Sequence, residues 1–281
     1  MLVGLAAAMV AAVAYGSATV MQALGVHRIS AVDVGAPWRA RILAGRLYAL
    51  GLLLDAAGFL AAVVSLRRMP LFLVQSAIAS SVSVTAVLAV LMLEVRLSRT
   101  EVSALAVTGL GLVLLAVSAQ EGPAHRASPT LGWLLLGSAG LVGLVLFTGL
   151  HQPNPARASV VLASASGLGF GMVAIAARTL RVGQPWWHTA TQPTLWALLA
   201  HGVLAAVGYG FALHRGRITT VAAITFAMET VFPAIVGTAA LGDAVRSHYI
   251  PVAVTGFLAT LAASITLARY AEPTEATIKK A

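Results

Sequence analysis

Nine apolar runs, each about 20 residues long and nearly free of charge, take up most of this 281-residue chain. A helix rises about 1.5 Å per residue, so each run reaches across the ~30 Å hydrocarbon layer of a bilayer. The runs cover residues 2–25, 47–66, 71–92, 102–119, 131–150, 158–177, 195–213, 218–241 and 249–268, with ends set to within ~2–4 residues. Only 10% of the residues are charged, against about 25% in a soluble domain. A soluble bundle of this composition would lack the polar surface to face water. The fold predicted is an all-α polytopic membrane protein of about nine transmembrane helices, with the lipid bilayer as its first partner.

The second half of the chain echoes the first. Leu91-Met92-Leu93-Glu94 matches Ala240-Leu241-Gly242-Asp243, an offset of 149 (243 − 94). The same offset pairs Arg68 with Arg217, Ala56-Ala57 with Ala205-Ala206, and Ser98 with Ser247. Val107-Thr108-Gly109 recurs as Val254-Thr255-Gly256, and Tyr15-Gly16 as Phe170-Gly171. The organisation read from this is a first repeat at 1–119, a joint at 120–130, an unpaired fifth helix at 131–150, a second repeat at 158–268 and a tail at 269–281. Duplicated halves around a midplane site are a sequence mark of secondary transporters.

The formal net charge is +9, but the basic residues are spread through the loops as flanks of membrane helices are, not gathered into a nucleic-acid patch. Six (Arg67, Arg68, Arg126, Arg178, Arg181, Arg246) fall on the side of the amino terminus. Twelve (Arg28, Arg39, Arg41, Arg46, Arg96, Arg99, Arg157, Arg215, Arg217, Arg269, Lys279, Lys280) fall on the other. The positive-inside rule then puts the amino terminus outside and the carboxyl terminus in the cytoplasm. In that topology spans 1–4 run opposite to spans 6–9, so the repeat is inverted. Arginine outnumbers lysine 16 to 2 (Lys279 and Lys280), in keeping with a GC-rich bacterial source and an inner-membrane location. The first run starts at Leu2 without a basic leader and reads as a spanning helix, not a signal peptide.

Four or five Ala/Gly-rich helices per half, with an acid closing the third (Glu94, Asp243), resemble the drug/metabolite transporter superfamily and its EamA-like members. Tyr15-Gly16-Ser17 and Asp55-Ala56-Ala57-Gly58-Phe59 are similar to the helix 1 and helix 2 motifs of the NIPA-type magnesium transporters. The likeness is fullest over residues 1–120. It departs at Val74-Gln75-Ser76, where that branch has a proline-led motif, and at Glu229. The resemblance implies alternating access without a cofactor, and in its NIPA-like form a divalent cation as cargo.

Asp55 and Glu229 are the two acids set deep in spans, where a charge costs about 2.5–3.5 kcal/mol on insertion scales. Residues so placed face a cavity or a partner, which makes both candidates for substrate, ion or proton binding. The plainer role is a hydrogen bond that fixes helix packing. His201, in span 7, is expected to share a cavity with Asp55 or else to pack. Gln22 and Gln75 are candidate cavity liners that equally suit bridging between helices. Glu94 and Asp243 lie beside Arg96 and Arg246, as a local helix-end ion pair or a gate. Under the 149 offset Asp55 faces Leu204 and Glu229 faces Ser80, so both acids break the repeat.

The glycines of Gly167-Leu168-Gly169-Phe170-Gly171 and the stripe Gly137, Gly140, Gly143 suit close helix packing within the bundle or across a homodimer. Pro185-Trp186-Trp187-His188 suits an interfacial turn. The chain has no cysteine, which excludes disulfides, thiolate metal sites and thiol catalysis. HExxH is absent, and His151, His188, His214 and His248 lack metal-ligand spacing. A non-enzymatic transporter of a small metabolite or cation is expected. The alternatives are a magnesium transporter and a membrane scaffold that has kept the fold without the activity.

Overall fold

The structure, a computed structural model, describes residues 2–30, 38–93, 97–120, 122, 129–181, 185–216 and 218–270. Ten α-helices lie within them: α1 Leu2–Ser30, α2 Trp38–Leu66, α3 Leu71–Ala79, α4 Ser81–Leu93, α5 Arg99–Ser118, α6 Pro129–Leu150, α7 Pro155–Thr179, α8 Pro193–Arg215, α9 Ile218–Ala240 and α10 Ile250–Tyr270. Nine segments among the described residues are long and apolar enough to cross a membrane, with α3 and α4 sharing one. The helix starts have local causes. Ser98 and Glu101 form a reciprocal capping box at α5, and Asn154 caps α7 ahead of Pro155. The third span breaks at Ser80. Ser76 and Ser80 turn their hydroxyls back onto the carbonyls of Phe72 and Ala77 (2.7 and 2.6 Å), a competition with the helical ladder.

Helix directions follow from bonds at one end of the bundle. Ser65 near the end of α2 donates to the Gly4 carbonyl at the start of α1 (2.8 Å). Arg178 at the end of α7 donates to the carbonyls of Leu66 and Met69, and the Leu71 N–H opening α3 donates to Asp243 just after α9 (2.5 Å). The Arg246 N–H, ahead of α10, donates to Ser118 at the end of α5 (2.9 Å). Gln192, preceding α8, donates to the Arg181 carbonyl beyond α7 (2.7 Å). Hence α1 and α7, α2 and α8, α3 and α9, and α5 and α10 are antiparallel pairs.

The packing is paired in the same way. α1 lies along α2 and α7 along α8; α4 packs on α1 and α9 on α7; α3 meets α9, and α5 meets α10. Small residues set these crossings. Gly58 abuts Ala14 and Tyr15, and Gly169 abuts Ala205. A methyl group at Gly16 would lie 2.6 Å from the Ser81 carbonyl oxygen and from Val84, and one at Gly171 2.9 Å from Pro233. Gly111 presses on Gly256 and Thr260. The stripe Gly137, Gly140, Gly143 on α6 behaves differently: beyond the local helix backbone, no atom of the described residues lies within 4 Å of where their side chains would be, so these glycines do not press on another described helix. α6 packs on α7 and α8, tied at the opposite end by Arg215 donating to the Leu150 carbonyl (2.8 Å).

Candidate functional site

A cavity of about 650 Å³ lies between the two sets of helices, within the range of about 300–1,000 Å³ usual for small-molecule sites. Its wall takes residues from α1 (Tyr15, Thr19), α2 (Asp55, Phe59), α3 and α4 (Gln75, Ser81), α7 (Phe170, Val173), α8 (Gly202, Tyr209) and α9 (Thr225, Glu229). Most of this surface is apolar because the Ala/Val/Leu-rich helices have little else to present. Asp55 and Glu229 therefore meet in one low-dielectric space, as does Gln75, which is buried at 2% exposure.

The two acids are held differently. Asp55 accepts a 2.5 Å hydrogen bond from Gln22 Nε2, so Gln22 positions an acid without lining the cavity itself. Gly51 lets α1 come close enough for this, since a methyl group there would fall 2.5 Å from Gln22 Cγ. Glu229 makes no hydrogen bond or ion pair to any described residue, although it lies within electrostatic reach of Tyr15 and Tyr209. Tyr15 also feels Asp55. Tyr15 stands in the sequence only as part of a motif, and Tyr209 belongs to none. A tyrosine inside an apolar run next to glycines was the available signal.

His201 does not share the cavity. It is buried at 1% exposure, with Nδ1 on the Ala197 carbonyl (3.0 Å) and Nε2 on the Ser138 hydroxyl (3.2 Å). It joins α8 to α6. Leu204, matched with Asp55 by the 149 offset, packs instead against a buried cluster contributed by α6, α7, α8 and α9, whereas Gly202 lines the cavity.

Asp243 lies outside the cavity, at the end of the bundle where α3 begins, and its partner is not the neighbour expected from sequence. It pairs with Arg178, whose side chain is buried. Arg178 also donates to the carbonyls of Leu66, Met69 and Gly122, and its Nε has no partner among the described residues. Burial raises the Asp243 pKa, while the Arg178 guanidinium and the Leu71 N–H pull it back. Arg178, counted from sequence as a loop charge, is thus an interior residue that binds three segments together. A span ended at 177 hides it; the helix runs on to Thr179. Glu94 and Arg96, the other half of that comparison, lie outside the described residues, as does most of the 120–130 joint. Residues 186–191 form a short 3-10 helix with Trp187 exposed, in keeping with an interfacial turn.

No group of three or more His, Cys, Asp or Glu side chains able to hold a metal ion occurs among the described residues. None of the protein-family models, curated proteins or solved structures compared with this chain matches it.

Proposed function

We propose that this protein is a secondary transporter of the drug/metabolite transporter class, moving a small metabolite or cation by alternating access across a bacterial inner membrane. The observation that carries this reading is the joint lining of one membrane-embedded cavity by both sets of helices, with an acid from each. Intramembrane acids facing a cavity are the usual mark of substrate or proton pathways.

The antiparallel pairing supports an inverted repeat. The crossings Ala14–Gly58 and Gly169–Ala205 correspond if α1 maps to α7 at an offset of 155 (169 − 14) and α2 to α8 at 147 (205 − 58). The Gly16–Val84 and Gly171–Pro233 contacts likewise relate α4 to α9 at 149 (233 − 84). On that register Asp55 corresponds to Gly202, and both line the cavity. Glu229 still corresponds to Ser80. Two halves of this kind rock about the site they share. In this reading the bonded Arg178–Asp243 end is a closed outer gate and the cavity opens to the cytoplasm, the orientation that the distribution of loop arginines favours.

The test is uptake by proteoliposomes under an imposed proton or cation gradient. Asp55→Asn and Glu229→Gln are expected to abolish the gradient-dependent component while purifying in normal yield. Wild-type rates in both variants would end the assignment. A scaffold role would then be favoured, most of all if the protein co-purified with a fixed partner.

A further inference from the structure

We infer that the cavity is a binding site for an organic ammonium ion, held by Glu229 and Asp55 against a cage of aromatic rings. This inference rests on the cavity assigned above and names the class of cargo. Three observations carry it. The first is charge. Two carboxylates enter the cavity, and no Lys, Arg or His among the described residues lines it. An anion would meet only repulsion there. A neutral solute would leave both acids to be neutralised by protons, whereas a cation supplies the counter-charge that the cavity wall itself lacks.

The second is ring content. Tyr15 and Phe59 come from one set of helices, and Phe170, Tyr209 and Phe226 from the other. Aromatic faces attract cations, and cages of several rings are the recurrent solution for alkylated ammonium groups. Such an ion gives up little hydration, so an apolar wall does not penalise it.

The third is the poverty of oxygen ligands. Magnesium needs near-octahedral oxygen coordination and parts with its waters reluctantly. Here the described residues offer no cluster of three acidic or histidine ligands. The space of about 650 Å³ holds an organic ion with room for its substituents.

The two acids divide the work. Glu229, without a partner among the described residues, is the group free to bind the ammonium directly. Asp55, tethered by Gln22, supplies a fixed second charge.

The test is equilibrium binding of tritiated benzyltrimethylammonium to the full chain in nanodiscs, with no gradient present. Saturable binding of about one ion per chain is expected, displaced by choline but not by the neutral carbon isostere of choline or by benzenesulfonate. Magnesium chloride should compete no better than sodium chloride at equal ionic strength. Glu229→Gln should weaken binding by about tenfold or more, equivalent to about 1.4 kcal/mol. Tyr15→Leu should weaken it, and Tyr15→Phe should preserve it. Absence of saturable binding, equal displacement by the neutral isostere, or specific displacement by magnesium would each overturn the inference. Binding without gradient-driven uptake would refute transport and leave the site standing. Uptake of a neutral solute without ammonium binding would do the reverse.

Discussion

Two pairs of charged groups lie inside this bundle, and they differ in how well they are satisfied. At the end of the bundle where α3 begins, Asp243 meets Arg178 and the Leu71 N–H, while Arg178 also meets three carbonyl oxygens. In the cavity Asp55 has one partner, Gln22, and Glu229 has none among the described residues. A buried charge surrounded by partners fixes structure, and removing one partner strands the other. A membrane-embedded charge left short of partners is available to something that arrives from outside. The contrast is between a pair engaged on all sides by its surroundings, which suits a structural role, and two acids that are not, as the proposed transport site requires.

The largest effect is expected at the Arg178–Asp243 pair. Asp243→Leu leaves the Arg178 guanidinium buried and unpaired, with an expected cost of about 3–5 kcal/mol. This should appear as a large drop in thermal stability in detergent. The double variant Arg178→Met/Asp243→Leu should recover most of that loss, because an apolar replacement of a buried pair is often nearly neutral. If the single variant unfolds no more easily than wild type, the ion pair is not structural. Glu229→Gln should show the opposite signature: thermal stability within about 0.5 kcal/mol of wild type, as for a substitution that breaks no packing, with gradient-driven uptake lost.

A third expectation concerns the glycines. Gly16→Ala forces a methyl group onto the Ser81 carbonyl and should cost about 1–3 kcal/mol through overpacking. Gly140→Ala on the open face of α6 should be neutral or slightly stabilising in the same melt. A smaller loss than that of Gly16→Ala is expected of Ser138→Ala, which removes one hydrogen bond to His201 and should cost about 0.5–1.5 kcal/mol without altering uptake. A change in the pH dependence of uptake in Ser138→Ala would move His201 from packing to coupling.

Much of this architecture was legible in the sequence because a bilayer enforces it. Uninterrupted apolar runs leave the chain few other structures: the span at 131–150 matches α6 closely, and the span at 71–92 covers α3 and α4 without foretelling the break at Ser80. The runs fell short at 47, where α2 in fact begins at Trp38; hydropathy stops counting once arginines enter, but backbone hydrogen bonding does not. The acids of the cavity were legible for the same reason, since Asp55 and Glu229 stand out against residues of no charge at all. Their partners were not. In the proposed inverted register the offset in span 2 is 147 instead of 149, two residues that turn a helix by about 200°, and Asp55 is then paired with Gly202, on the cavity wall, in place of Leu204, which does not line it. Arg178 was obscured differently: sequence places it near a span end, but only packing of the α2–α3 turn over it makes it interior.

The chain is naturally free of cysteine, so side-selective labelling of one introduced thiol tests the central contrast most directly. Thr19→Cys places that thiol on the cavity wall. In sealed vesicles of defined orientation, a membrane-impermeant maleimide should reach it from the face opposite the Arg178–Asp243 end and not from that end. Adding Asp243→Asn should open the second route. Equal labelling from both faces in the background carrying an intact Asp243, or no change on adding Asp243→Asn, would contradict a closed gate at the ion pair and an open cavity at the acids.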